Sequence, residues 1–292
     1  MKKPDVSIVV IDKSELGIAD TLDSFKKLKT SFTYEVVVVD ASGGLFDAIA
    51  AAHPEARWVP FVSKTKKRFT IPEQRNAGVT EAKADIIAFT DANCIAQPDW
   101  LERLVAPIKK DDEALVAGLA LSQAAGSIYD QDHAHRKGQK YIRECPTINL
   151  AFTREAYEKI GGFDERFDYG SDVDFSWRAN DLGFKVRYVP EAIISHDWGS
   201  ASDNMKRSYR YGVARARLYK KHPRRWRELC TADVITLIYP AYILGLPLTY
   251  WFWPYPLLIV VPLYKNRHLQ PFKVVQKHLI YGCGVLRELV RL

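Results

Sequence analysis

Cysteine is scarce and scattered in this chain. Its four residues, Cys94, Cys145, Cys230 and Cys283, show no C-x-x-C spacing. A disulfide framework and a thiolate zinc site of regular spacing are therefore excluded, and the thiols read as reduced. Internal repeats and low-complexity tracts are missing too, which excludes repeat architectures. The amino-terminal segment MKKPDVSIVVIDKSE lacks an apolar run of signal-peptide length, because Asp12 and Lys13 cut it off, and it reads as a first strand. Two further gaps concern charge. No acid interrupts the ten lysines and arginines from Lys206 to Arg227, and no charged residue of either sign occurs from Val234 to Tyr264. The basic block suits anionic lipid headgroups, a diphosphate or nucleic acid.

What is present fits an α/β protein. The 292 residues are 47% hydrophobic and 26% charged, with a net charge of +7, enough for one large α/β domain and an appendage. Val6 to Ile11, Glu35 to Asp40, Arg57 to Val62, Asp85 to Thr90 and Ala114 to Ala120 read as strands. Helical patterns alternate with them, at about 15–29, 45–52, 72–82 and 98–108. Such alternation predicts βαβ crossovers and a mostly parallel sheet. Ser122 to Pro146 reads as a long polar binding loop, in which Asp130, Asp132, His133 and His135 lack regular metal-ligand spacing.

The uncharged run from Val234 to Tyr264 could reach ~46 Å as one helix, against the ~30 Å of a bilayer core. Pro240, Pro247, Pro254, Pro256 and Pro262 argue against one straight helix. The aromatic cluster from Tyr250 to Tyr255 suits a membrane interface, and basic residues flank both ends. These features predict a re-entrant or hairpin insertion whose two ends stay on the cytoplasmic side. Phe272 to Leu292 reads as a basic amphipathic surface helix interrupted by Gly282 and Gly284. The division predicted is an α/β domain over 1–205 and a basic, apolar, membrane-associated helical region over 206–292. Since the basic block adjoins residues apolar enough to enter lipid, a membrane rather than nucleic acid is its expected partner.

The candidate site residues lie at predicted strand ends, where α/β sheets build their pockets. Asp40 closes VVVVD and Asp91 closes DIIAFTD; Asp91-Ala92-Asn93 offers a carboxylate and a carboxamide oxygen, or else a plain Asx-turn. Arg75, ahead of Asn76-Ala77-Gly78, can offer a guanidinium to a diphosphate or be an ordinary surface arginine. In GGFDERFDYGSDVDFSWRANDLGFKVRYVPEAIISH, Ser171 reads as a helix N-cap, with Asp174 able to complete an acidic capping box. Asp172 and Asp174 fill the first turn, Gly183 stops the helix, and Val186 to Val189 forms a strand ended by Pro190 before His196.

Taken in order, SIVVI, EVVVVDAS, Q-R-N-A-G, AFTDANCIAQPDWLE, TINLAFTREAYEKIGGFDERF and YGSDVDFSWRANDLGF ending at Ser195-His196 resemble the family 2 glycosyltransferases of the GT-A fold. The resemblance spans Val6 to Trp198. It implies that Asp40 contacts the nucleotide base and Arg75 the donor diphosphate. Asp91 and Asn93 fall at the first and third positions of the D-X-D metal motif, with His196 able to join the shell of a Mn²⁺ or Mg²⁺ ion. Asp172 falls at the general base, and Phe163, Asp164 and Trp198 fall on the acceptor side. Two positions depart from the family pattern. Asn93 removes one negative charge near the metal. Ser171 stands where an acid is common and lowers carboxylate repulsion beside Asp172.

The resemblance thus implies inverting transfer from a UDP- or GDP-type sugar to an acceptor hydroxyl, and the apolar segment with its basic stretch implies a lipid-linked acceptor at the cytoplasmic face of the cell membrane. The alternatives are direct transfer to polyprenyl phosphate, and a catalytically impaired membrane-bound scaffold of the same fold.

Overall fold

The computed structural model describes residues 3–64, 70–123, 136, 138–199, 201–268 and 270–291. Asp130, Asp132, His133 and His135 lie outside the described residues. The chain divides into two compact units, Met1–Asp197 and Trp198–Leu292. That division precedes the 205/206 boundary read from the sequence, because residues 201–205 open a long helix of the second unit.

In the first unit, nine strands form one sheet: β1 (Val6–Asp12), β2 (Tyr34–Asp40), β3 (Ala56–Pro60), β4 (Ile86–Asp91), β5 (Cys94–Ala96), β6 (Leu115–Ser122), β7 (Tyr141–Ile142), β8 (Leu150–Thr153) and β9 (Val186–His196). Their order is β3-β2-β1-β4-β8-β6-β9-β5, with β7 also pairing β9. The β-branched runs of β1 and β2 are buried and lie in the parallel block β3-β2-β1-β4. The parallel pair β6–β9 is joined to that block through β8, which runs antiparallel to both neighbours. The helices are α1 (Ile18–Phe25), α2 (Asp47–Ala52), α3 (Ile71–Glu81), α4 (Trp100–Lys110), α5 (Arg154–Ile160) and α6 (Ser171–Asp181).

Pro190 does not end a strand, in contrast to the sequence reading. β9 continues to His196 through an irregularity, where its register on β6 jumps from Gly118↔Val189 to Leu119↔Ile193. A strand can carry proline where ladder bonding lapses. Asn149 stitches this point together: its Nδ2 donates to the carbonyls of Leu119 and Ala192, each at 2.9 Å, and its Oδ1 accepts from Trp100 Nε1.

Helix α3 lies unusually close to the sheet at Gly78, where a Cβ would meet Val9 Cγ1 at 2.4 Å. The glycine of the Q-R-N-A-G run thus sets the height of α3, and with it that of Arg75, over β1 and β2.

The second unit is helical: α7 (Ala201–Lys221), α8 (Trp226–Thr231), α9 (Ile235–Gly245), α10 (Val260–Lys265) and α11 (Pro271–Val290), with short 3₁₀ turns at Pro223–Arg225, Leu246–Tyr250 and Tyr255–Ile259. Gly282 and Gly284 do not interrupt α11, which is continuous over 20 residues. They are packing positions. A Cβ at Gly284 would lie 2.1 Å from the Tyr209 carbonyl oxygen of α7, and one at Gly212 would lie 2.0 Å from that of Tyr281. Part of the basic block is paired within this unit, Arg215 with Asp233 at 3.2 Å and Arg217 with Glu288 at 3.0 Å. Among the described residues no single helix is long and apolar enough to cross a membrane; the bent pair Pro223–Thr231 and Ile235–Tyr250 turns through 79°.

Gly78→Ala tests the spacing of α3. The intrinsic helix gain of about 1 kcal/mol is smaller than the overpacking cost of roughly 1–3 kcal/mol against the rigid, branched Val9. The variant is expected to unfold at a lower temperature; an unchanged or raised melting temperature would contradict the close approach.

Candidate active site

The parallel block brings three aspartates to one edge of the sheet. Asp12 pairs in register with Asp40, and Ile11 pairs with Asp91, so the carboxyl ends of β1, β2 and β4 lie side by side. Asp40 Oδ1 accepts the Ser42 amide at 2.7 Å, an Asx-type turn that leaves its other oxygen uncommitted to that turn. The antiparallel pair β5–β9 then sets His196 opposite Cys94, one residue past Asn93. The Asp197 amide and Gln123 Nε2 donate to the Asn93 carbonyl at 3.3 and 3.2 Å. Asn93 itself has a left-handed backbone, φ 63, which asparagine tolerates better than most residues.

Arg75 and the helix bearing Asp172 meet directly. Arg75 Nη1 donates to Ser171 Oγ at 3.0 Å across 96 residues, and the guanidinium lies over the ring of Phe163, 5.6 Å from its centroid. Arg75 is buried, its Nε has no hydrogen-bond partner, and among the described residues no carboxylate pairs with its charge. It is therefore not an ordinary surface arginine.

Ser171 is not the N-cap. That position belongs to Gly170, which is left-handed at φ 80, and the Ser171 hydroxyl caps no backbone amide. The reason is the bond to Arg75, which turns the hydroxyl into the protein. Nor does Asp174 complete a capping box: it is fully buried and paired with Arg178 at 2.8 Å. Arg178 also donates to the carbonyls of Ile160 and Gly162, tying the Gly161-Gly162 turn to α6. Gly183, left-handed at φ 86, follows the last turn as expected. Asp172 is half-buried in the first turn, and its Oδ1 accepts the Val173 amide at 2.9 Å.

The acceptor-side candidates separate. Phe163 is buried among Phe89, Phe152, Tyr157 and Phe175, so its ring supports Arg75 from below instead of forming a surface wall. Asp164 is paired with Arg166 at 2.7 Å. Trp198 belongs to the second unit, under the guanidinium of Arg207.

The sequence reading missed Asp12. It closes VSIVVID just as Asp40 closes VVVVD, a signal that was available. Its Oδ1 accepts the amides of Lys13, Ser14 and Glu15, while Oδ2 is buried with no hydrogen-bond partner among the described residues. Burial pushes its carboxyl up to about 6; the three amide bonds oppose that shift, and nearby Glu15 adds to it.

Among the described residues no three His, Cys, Asp or Glu side chains converge to hold a cation by themselves. The donors present are the Asp91 carboxylate, the Asn93 carboxamide oxygen and the His196 imidazole. Such a set fits Mn²⁺ or Mg²⁺ when diphosphate oxygens complete the shell.

A mixed sheet with carboxylates at the ends of β1, β2 and β4, continued by an antiparallel β8 and a long β9 ending in histidine, is the GT-A nucleotide-sugar fold. A mannosyltransferase from Pyrobaculum calidifontis, solved in complex with GDP-Man and Mn²⁺, superposes with a TM-score of 0.70 at 18% identity, covering 99% of this chain and 88% of that one. Residues 6–163 match Glycosyl transferase family 2, and 91–264 match Glycosyl transferase family group 2. The chain belongs to glycosyltransferase family 2. It is 30% identical over 163 residues to a pre-mycofactocin glycosyltransferase of Mycobacterium tuberculosis, covering 51% of this chain and 35% of that protein. It is 25% identical over 152 residues to glycosyltransferase AglE of Haloferax volcanii, half of each chain. The matches thus span a third to a half of the length of these two relatives.

Asp12 gives a pH test. Its ordinary value is 3.8, so the folded state holds this proton more tightly than the unfolded chain does. Its contribution to stability therefore falls as pH rises from about 4 to about 6 and is level above that. Asp12→Asn keeps an oxygen for the three amides and titrates nothing. The stability of the variant relative to wild type is expected to rise across that window by up to about 3 kcal/mol. A difference independent of pH, measured by thermal or urea unfolding, would contradict the assignment.

Proposed function

We propose that the chain is an inverting glycosyltransferase that moves a sugar from a UDP- or GDP-type donor to a hydroxyl of a lipid-linked acceptor at the cytoplasmic face of the membrane. The observation that carries this reading is the Arg75–Ser171 hydrogen bond, which sets a buried cation beside the first turn that bears Asp172. A guanidinium with no carboxylate partner favours an anionic ligand such as a diphosphate. Asp40 and Asp91, at the ends of β2 and β4, have the placement that suits the base and diphosphate of the donor. In this reaction the Asp172 carboxylate takes the proton of the acceptor hydroxyl as its oxygen bonds to the anomeric carbon. The bond from that carbon to the diphosphate breaks, and the nucleoside diphosphate leaves with the electron pair. Asp91, Asn93 and His196 would hold a Mn²⁺ or Mg²⁺ ion, which when bound would offset the negative charge of the departing diphosphate. Mn²⁺ and GDP-Man in the Pyrobaculum mannosyltransferase support this choice of ligand class.

The membrane reading is supported by the surface of the second unit. Tyr250, Trp251 and Trp253 are 85%, 77% and 75% exposed, and Leu257, Val261 and Tyr264 follow them, all within the run that lacks charge. So much exposed aromatic and aliphatic surface beside basic residues suits anionic lipid.

Two measurements test the proposal. Asp172→Asn is expected to lower sugar transfer by roughly 10²- to 10⁴-fold while donor binding is retained; near-normal turnover would remove Asp172 as the base. The full chain is expected to float with anionic liposomes in a salt-dependent way, and Trp251→Ser/Trp253→Ser to float less. Equal recovery of both proteins, or retention on duplex DNA instead of liposomes, would contradict the membrane assignment.

A further inference from the structure

The residue that departs from the family's metal motif is held by a carboxylate from elsewhere in the chain. Asn93 donates from Nδ2 to Glu15 Oε2 at 2.7 Å, across 78 residues. A carboxylate can only accept, so the edge of the carboxamide facing Glu15 has to be its NH₂, and Oδ1 is turned away. Oδ1 lies over Gly17, where a Cβ would come within 1.7 Å of it; the missing side chain is what makes room. The Asn93 backbone is pinned independently, by the Asp197 amide and Gln123 Nε2 on its carbonyl. Glu15 is pinned as well, its amide donating to Asp12 Oδ1 at 3.0 Å. The β1–α1 loop thus holds the side chain of Asn93, and the residues that follow β6 and β9 hold its backbone carbonyl. Glu15 is exposed, and among the described residues no lysine or arginine neutralises it.

We propose that Glu15 is a positioning residue of the donor-cation site. It takes the amide hydrogens of Asn93, leaves Oδ1 free to accept a divalent cation, and returns, one hydrogen bond further out, the negative charge that asparagine removes from the motif. The inference rests on reading this edge as a nucleotide-and-cation site. Carboxylates that hold a metal ligand from behind typically change metal affinity ten- to hundredfold.

The test is Mn²⁺ binding to the full chain by titration calorimetry with saturating GDP, repeated with UDP. Glu15→Gln is expected to weaken Mn²⁺ roughly ten- to hundredfold with an unchanged melting temperature, since the side chain is exposed. Glu15→Gln/Asn93→Asp, which moves the charge back into the motif, is expected to regain most of the loss. Wild-type affinity in the Glu15→Gln variant, or a double variant no tighter than that single one, overturns the role of Glu15. A wild-type chain that binds Mn²⁺ with neither nucleotide overturns the cation site itself, and the role of Glu15 falls with it.

Discussion

Burying a guanidinium without a carboxylate partner is costly, and among the described residues none neutralises Arg75. Gly78 lets α3 sit low on β1 and β2, so the arginine one turn earlier comes under α6. Phe163 offers its ring face, a weak and non-neutralising partner, and Ser171 offers a hydroxyl. With its hydroxyl directed at the arginine, Ser171 caps no backbone amide, and Gly170 stands at the start of the helix. An acid at position 171 would neutralise Arg75 internally. The serine leaves the positive charge available.

The acids nearby are sorted by their partners. Asp174 is neutralised by Arg178, and that pair fastens the Gly161-Gly162 turn, so it is structural. Asp12 spends one oxygen on three backbone amides and hides the other. Asp40 and Asp91 are half-buried at the carboxyl ends of β2 and β4, and Asp172 is half-buried in the first turn of α6. Acids close together in the sheet edge or in one helix turn thus differ in what each one touches.

The second unit places charge and apolar surface in a reversed arrangement. Ion pairs such as Arg217–Glu288 lie partly buried where α7 and α11 cross at Gly212 and Gly284, whereas Tyr250, Trp251 and Trp253 face outward.

The strands of the parallel block and the helices between them were legible because a fully buried strand needs an unbroken β-branched run and its helix needs a period near 3.6. Asp40, Asp91 and Asp172 were legible as acids at element ends, and Arg75 through its Q-R-N-A-G context. Other features depended on contacts between residues far apart in the chain. Ser171 has the local signature of an N-cap, and only Arg75, 96 residues away, turns it from that use. Pro190 has the signature of a strand end, and only pairing with β6 and β5 beyond the register shift carries β9 past it. The glycines of α11 look like helix breaks until α9 lies against Gly282 and α7 against Gly284. Asn93 reads as a lost charge, and only the fold brings Glu15 to it. Local pattern determines where strands, helices and their terminal acids fall, because propensity and burial act over a few residues. Which acid is neutralised, and which hydroxyl or carboxamide is already taken, is decided by tertiary structure, because each of those partnerships joins segments tens of residues apart.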